Sequence, residues 1–205
     1  LDGTLLDTAA DITMSLNQAL TERQLEPLAQ DQVREMIGRG APTLIERALA
    51  QQDLRVDAAG QAVLLDRFFF HYGHLHAFDE SRSRVYPGVA ECLGELHERG
   101  MHLAVVTNKQ RSFAVSLLQR LGLSQWIEVV VGGDSCERRK PDPLPLRFAC
   151  DAMHVEPANA LMVGDSVNDV LAARAAGLPV VCVPYGYNEG DDPRKMHQQM
   201  AATLD

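Results

Sequence analysis

The chain has 205 residues, of which 46% are hydrophobic and 23% are charged, and its formal net charge is -9 at pH 7. This length can bury a sizeable core, and the composition is that of a globular protein. The negative charge disfavours nucleic acid and anionic membranes as partners, although a phosphate-bearing substrate needs only a local positive site. Because no apolar run approaches the ~18 residues of a membrane-spanning helix, the sequence predicts a soluble protein.

The first residues, Leu1-Asp2-Gly3-Thr4, place an acidic residue, a glycine and a threonine at the mouth of an apolar run. This composition predicts the downstream end of a buried strand that turns into a loop. On its own the motif is a weak signal, because aspartate, glycine and threonine are also common turn residues. Its weight depends on three further stretches downstream.

Residues 9–81 carry the spacing of helices. One apolar stripe of helical period follows Thr8, a second follows Pro42, and a third leads toward His76. Gly38-Arg39-Gly40 separates the first stripe from the second. We therefore predict an all-helical segment here, placed directly after the first strand.

From residue 82 onward, short apolar runs alternate with helical patterns. The runs that predict strands are 103–106, 127–131, 161–163 and 180–183. Such runs between helices predict parallel strands that are covered on both faces. The predicted fold is a doubly wound α/β core with a parallel sheet, made of residues 1–8 and 82–205, with a helical insertion at 9–81. An insertion at this point can cover a ligand site at the carboxyl ends of the strands.

Three of the predicted strand ends carry polar residues, where an open parallel sheet places its site. Thr107 offers a hydroxyl and backbone donors ahead of a helix, which suits phosphate oxygens. Lys140 is a cation in a proline-flanked loop, and Asp165 and Asp169 place two carboxylates four residues apart, which suits Mg²⁺. Taken singly, each residue has a structural alternative as a turn residue, a solvated lysine or a helix-start carboxylate.

Taken together and in this order, four stretches resemble the four motifs of the haloacid dehalogenase-like hydrolases. They are D-G-T at 2–4, V-V-T-N at 105–108, K-P-D-P at 140–143 and G-D-S-x-x-D at 164–169. The match spans almost the whole chain, and the helical insertion lies at the place of that family's first type of cap. The resemblance implies phosphoryl transfer through an aspartyl-phosphate.

The resemblance also implies roles for individual residues. Asp2 matches the general acid and base, and Thr107, Asn108 and Lys140 match the groups that bind the substrate's phosphoryl oxygens. These roles are physically coherent, because phosphoryl transfer depends mainly on positioning and on neutralising oxygen charge.

A Mg²⁺ cofactor is implied as well. Its expected ligands are the backbone carbonyl of Asp2 and the carboxylate of Asp165, with Asp169 in support through water or hydrogen bonds. The family's nucleophile is an aspartate that would stand immediately before Leu1. We therefore expect the native chain to extend upstream by an apolar strand of ~5 residues that ends in this aspartate. The sequence leaves open whether the C-terminus, at residues 201–205, is complete.

Within the family, V-P-Y-G-Y-N at 183–188 and G-G-D at 132–134 resemble phosphoglycolate phosphatases. This resemblance implies 2-phosphoglycolate as the substrate. Arg39 lies where the cap could reach the substrate, and it is a candidate for binding the substrate carboxylate. The alternative for Arg39 is a solvated arginine in a turn between helices.

Other functions stay open at this point. The first is a phosphatase or mutase that acts on a sugar phosphate, and the second is an inactive relative that binds a phosphorylated ligand. A dehalogenase is disfavoured, because cleavage of a carbon–halogen bond needs neither a metal nor an acid for the leaving halide.

The four cysteines form no C-x-x-C pair, which predicts reduced thiols in a cytoplasmic protein. The oligomeric state is not predicted.

Overall fold

The structure, a computed structural model, describes residues 1–78 and 80–190. These residues form an α/β core and a helical cap. No helix in these two ranges is long and apolar enough to cross a membrane. The question about residues 201–205 lies outside the described residues.

The cap consists of the helices between the first strand and residue 78. They are α1 (Ala9–Glu22), α2 (Gln30–Arg34), α3 (Ala41–Ala50) and α4 (Ala58–Ala77). The three apolar stripes of the sequence correspond to α1, α3 and α4, whose buried side chains pack into one cluster that includes Leu16, Ile45 and Leu64. The five-residue helix α2 was not predicted, because it is too short to show a helical period. The exact limits of the insertion, 9–81, stay a prediction.

The core alternates strands and helices. They are β1 (Leu6–Asp7), β2 (Arg84–Val85), α5 (Val89–Glu98), β3 (Ala104–Val106), α6 (Arg111–Arg120), β4 (Val129–Val131), α7 (Leu144–Ala152), β5 (Met162–Gly164), α8 (Val167–Ala176) and β6 (Val180–Cys182). Strands β3 and β4 pair in parallel, as do β5 and β6, which confirms the predicted strand direction. Within the described residues no ladder joins β3 to β5. The strand expected upstream of Leu1, which would join them, stays a prediction.

Strands β1 and β2 form a short antiparallel ribbon that the sequence did not predict. Leu6 pairs with Val85 and Asp7 pairs with Arg84. Since β1 leads into the cap and β2 follows it, the ribbon places the two connections between cap and core side by side.

Asp11, a fully buried residue in the first turn of α1, links these two connections by hydrogen bonds to residues 81–83. Its carboxylate accepts hydrogen bonds from the hydroxyls of Ser81 and Ser83, both at 2.5 Å, and from the backbone N–H of Arg82 at 2.6 Å. Burial alone would raise the pKa of Asp11, but these hydrogen bonds outweigh it and lower the pKa.

We expect Asp11→Ala to lower the free energy of unfolding by about 1–3 kcal/mol, because it leaves the buried N–H and hydroxyl of Ser83 unpaired. Urea unfolding at neutral pH measures this loss, and Asp66→Asn, an exposed carboxylate on α4, is the control. The lowered pKa means that the contribution is present above the ordinary value of 3.8 and is lost as the pH falls through the lower, folded value. The difference between wild type and variant should therefore shrink in acid, and a constant difference would contradict the assignment.

Candidate active site

A cavity of about 150 Å³ lies between the cap and the carboxyl ends of β3 and β5. Its polar floor is formed by Asp2, Thr107, Asn108, Lys140, Asp165 and Asp169. Its apolar part is formed mainly by cap side chains and by one residue of α6, namely Ile12, Ile37, Leu44, Leu65, Phe68, Phe69 and Phe113. The structure thus brings six of the sequence-predicted site residues together, although they are far apart in the chain.

Asp2 is held by two donors at the same oxygen. The hydroxyl of Thr8 lies 2.7 Å and the ammonium of Lys109 lies 2.9 Å from Asp2 Oδ1. Burial alone would raise the pKa of Asp2, but the charge and hydrogen bond of Lys109 outweigh it and lower the pKa. These contacts favour the ionised form of Asp2, which is the form that acts as a general base.

Lys140 and Asp169 form a buried ion pair, with Lys140 Nζ 2.7 Å from Asp169 Oδ1 and both side chains 7% exposed. The same ammonium donates to the backbone carbonyl of Val106 at 2.6 Å. Burial alone would raise the pKa of Asp169, but the charge of Lys140 and the hydrogen bonds lower it to about 2. An ammonium has three donors, so these two bonds leave one for a ligand in the cavity.

The second oxygen of Asp169 fixes the loop that follows β5. It accepts hydrogen bonds from the backbone N–H groups of Asp165 and Ser166 at 3.1 Å and from the Ser166 hydroxyl at 3.0 Å. Asp169 therefore positions both Lys140 and Asp165, which is consistent with the supporting role that we predict for it.

Asp165 is packed against the backbone of the D-G-T stretch. A Cβ atom on Gly3 would lie 2.2 Å from Asp165 Oδ2, and Gly3 has a φ of +81°, so only glycine fits here. The carboxylate accepts hydrogen bonds from the Thr4 hydroxyl at 2.6 Å and from the backbone N–H of Tyr187 at 3.0 Å. Burial, together with the charge of Asp169, raises the pKa of Asp165.

The donors available for a metal are all oxygens. The described residues contain no cluster of three or more His, Cys, Asp or Glu side chains that could hold a metal ion by themselves. The carboxylate of Asp165 and the backbone carbonyl of Asp2 nevertheless fit Mg²⁺, which uses one or two protein carboxylates and completes its shell with water and substrate phosphate. They do not fit zinc, which prefers three or four nitrogen, sulfur or carboxylate ligands.

Arg39 does not line the cavity. Its Nε donates to Glu189 at 2.9 Å, and Arg47 donates to the same carboxylate at 2.6 Å. Glu189 also accepts a hydrogen bond from Asn168, so it joins two cap arginines to the core. The substrate-binding role of Arg39 stays a prediction.

We expect Glu189→Ala to lower the free energy of unfolding by about 1–3 kcal/mol, because it leaves the partly buried Arg47 without its carboxylate. Arg39→Ala is the matched control and should cost less, because Arg39 is half exposed and its loss leaves Glu189 paired with Arg47. Urea unfolding compares the two variants. An equal loss of unfolding free energy in both variants would show that Glu189 does not stabilise the contact between cap and core more than Arg39 does.

Three site residues received no role from the sequence. Lys109 follows Thr107 and Asn108, where a lysine usually faces solvent. Tyr187 lies in the Y-G-Y stretch, and its hydroxyl accepts a hydrogen bond from the backbone N–H of Thr8 at 2.6 Å. Tyr72 belongs to an apolar stripe that looks like ordinary cap core. No spacing signal separates these residues from structural ones, since their contacts join residues that are far apart in the sequence.

The chain was compared with known proteins. A sequence model described as haloacid dehalogenase-like hydrolase matches residues 1–183. The phosphoglycolate phosphatase of Nitrosospira multiformis is 42% identical over 195 residues, which are 94% of this chain and 84% of that protein. The plasmid-encoded phosphoglycolate phosphatase of Cupriavidus necator is 46% identical over 189 residues, which are 91% of this chain and 79% of that protein.

The fold has a close structural counterpart as well. The crystal structure of a predicted phosphoglycolate phosphatase from Haemophilus somnus superimposes with a TM-score of 0.87 at 34% identity, covering 95% of this chain and 87% of that one. Family match, sequence relatives and structural neighbour agree with the four motifs that meet in the cavity. The chain therefore belongs to the haloacid dehalogenase-like hydrolases and is a phosphoric monoester hydrolase.

Proposed function

We propose that the protein hydrolyses 2-phosphoglycolate to glycolate and phosphate in a reaction that depends on Mg²⁺. The observation that carries this proposal is the convergence of six motif residues on the floor of one small cavity. Relatives that carry the name phosphoglycolate phosphatase support the substrate. The cavity volume of about 150 Å³ supports a small metabolite, since sites for drug-sized ligands measure ~300–1,000 Å³.

In the proposed mechanism, Thr107, Asn108 and Lys140 hold the phosphoryl group. The carboxylate expected before Leu1 attacks phosphorus. Asp2, which takes up a proton when the anionic substrate binds, donates that proton to the glycolate oxygen as the bond from this oxygen to phosphorus breaks. Asp2 then takes a proton from a water molecule, which attacks the aspartyl-phosphate and releases phosphate. Bound Mg²⁺, held by Asp165 and the carbonyl of Asp2, would neutralise charge on the phosphoryl oxygens.

The proposed location is the cytoplasm. Cys92, Cys136, Cys150 and Cys182 all have free thiols in the structure, which suits a reducing compartment. The proposed partner is one small phosphorylated metabolite, without nucleic acid or membrane.

A panel of phosphate esters tests the proposal. Phosphate release would be measured from 2-phosphoglycolate and from hexose and pentose phosphates, each with Mg²⁺ and with a chelator. We expect 2-phosphoglycolate to have the highest kcat/KM and release to stop with the chelator. Preference for a sugar phosphate would favour the phosphatase or mutase alternative, and no release from any ester would favour an inactive ligand-binding relative.

A further inference from the structure

Two polar groups of the cavity, Tyr72 and Lys109, have no assigned contact with the substrate in the mechanism proposed above. Tyr72, on α4, is 1% exposed, and its hydroxyl makes no hydrogen bond of normal geometry among the described residues, although the Lys109 ammonium is close enough to interact with it. Lys109 lines the same cavity, and its Nζ lies 4.7 Å from the centre of the Tyr72 ring. A buried hydroxyl without a partner is unusual in a folded protein and requires an explanation.

The surroundings of Tyr72 fix its orientation. Its ring stacks on Phe68 with centroids 5.8 Å apart and meets Phe113 edge-on with centroids 5.1 Å apart. Both phenylalanines also line the cavity. The ring is therefore held by aromatic neighbours, and the hydroxyl is buried, where a hydrogen bond to a charged ligand is stronger than in water.

The contact between Lys109 and Asp2 places Lys109 near the leaving group of the proposed reaction. In the proposed reaction Asp2 protonates the oxygen that leaves phosphorus, so the atoms bonded to that oxygen lie beside Asp2. In 2-phosphoglycolate this oxygen carries one CH₂ group, and the carboxylate follows directly. Lys109 Nζ is 2.9 Å from Asp2 Oδ1, so its positive charge lies beside the group that would protonate this oxygen.

We propose that Tyr72 and Lys109 bind the carboxylate of the substrate, so that a cap residue and a core residue together select an acidic leaving group. This inference rests on the proposed function. Lys109 supplies the charge and Tyr72 a directed hydroxyl donor. Arg39, the candidate from the sequence, lies outside the cavity lining, whereas Tyr72 and Lys109 both belong to it.

The test compares two esters that differ in the carboxylate. The kcat/KM values for 2-phosphoglycolate and for ethyl phosphate would be measured for the wild type and for Tyr72→Phe. We expect the ratio of the two values to fall about 10- to 100-fold in Tyr72→Phe, which is the usual effect of a hydrogen bond to a charged group. The melting temperature should not fall, because the hydroxyl makes no hydrogen bond in the fold.

Two further variants complete the test. Tyr86→Phe is the matched control, since the Tyr86 hydroxyl is also buried without a partner but lies outside the cavity lining. It should leave the ratio unchanged. Lys109→Gln should lower the ratio as well, with an additional loss on both esters because Lys109 also contacts Asp2.

The outcomes separate the two proposals. A wild type that does not hydrolyse 2-phosphoglycolate overturns the proposed function, and this inference with it. A wild type that does so, with an unchanged ratio in Tyr72→Phe, overturns this inference alone. A ratio that falls in Arg39→Ala but not in Tyr72→Phe also overturns it and assigns the carboxylate to Arg39.

Discussion

Replacement of Lys140 by methionine is expected to lower kcat/KM at least about 1,000-fold and to lower the free energy of unfolding by about 3–5 kcal/mol. The two losses have different causes. Activity is expected to fall because the variant lacks the ammonium that we propose to bind the phosphoryl oxygens. Stability falls because Asp169, whose side chain is 7% exposed, keeps its charge without a partner.

A second variant separates these causes. Lys140→Met combined with Asp169→Asn removes both charges, so most of the stability should return while the activity stays low. Arg138→Met is the control, because Arg138 lies in the same loop but is exposed and pairs only at the surface with Asp142. Steady-state kinetics and urea unfolding of the variants give both quantities. Recovery of activity in the double variant would show that Lys140 acts only by balancing Asp169.

The parts of the fold that follow from a repeating pattern were predictable from the sequence. The long cap helices have apolar stripes of helical period, and β3 to β6 are short apolar runs between helices. The ribbon of β1 and β2 was not predictable, because each strand has two residues and shows no alternation. Its pairing joins residues on either side of the whole cap, and such contacts leave no local signal.

The same distinction holds for the candidate site. Residues such as Thr107 and Asp165 follow short apolar strands, so their position at one edge of the core was predictable. The pairing of Lys109 with Asp2 joins core residues that are 107 positions apart in the sequence. The position of Tyr72 beside Lys109 depends on how the cap packs on the core. Arg39 illustrates the reverse case: a suitable residue in a suitable loop has a partner, Glu189, that is 150 residues away in the sequence.

Asp165→Asn is the second variant with a large expected effect. We expect it to lower kcat at least about 100-fold and to raise the Mg²⁺ concentration needed for half-maximal activity at least about 10-fold. The reason is that a hard cation loses its charged ligand, whereas substitutions in a metal's outer shell typically cost ~10–100-fold. Activity measured over a series of Mg²⁺ concentrations tests this expectation. Asp151→Asn, an exposed carboxylate on α7, is the control.

Although Asp165→Asn should lower activity, it should not lower the stability of the protein when Mg²⁺ is absent. Burial and the charge of Asp169 raise the pKa of Asp165, so its ionised form costs stability once the pH is above its ordinary value of 3.8. With chelator at neutral pH, Asp165→Asn should therefore unfold at a temperature equal to or above that of the wild type. Addition of Mg²⁺ should raise the melting temperature of the wild type but not that of the variant, because only the wild type binds the ion tightly. An equal rise in both proteins would show that Mg²⁺ binds somewhere other than Asp165.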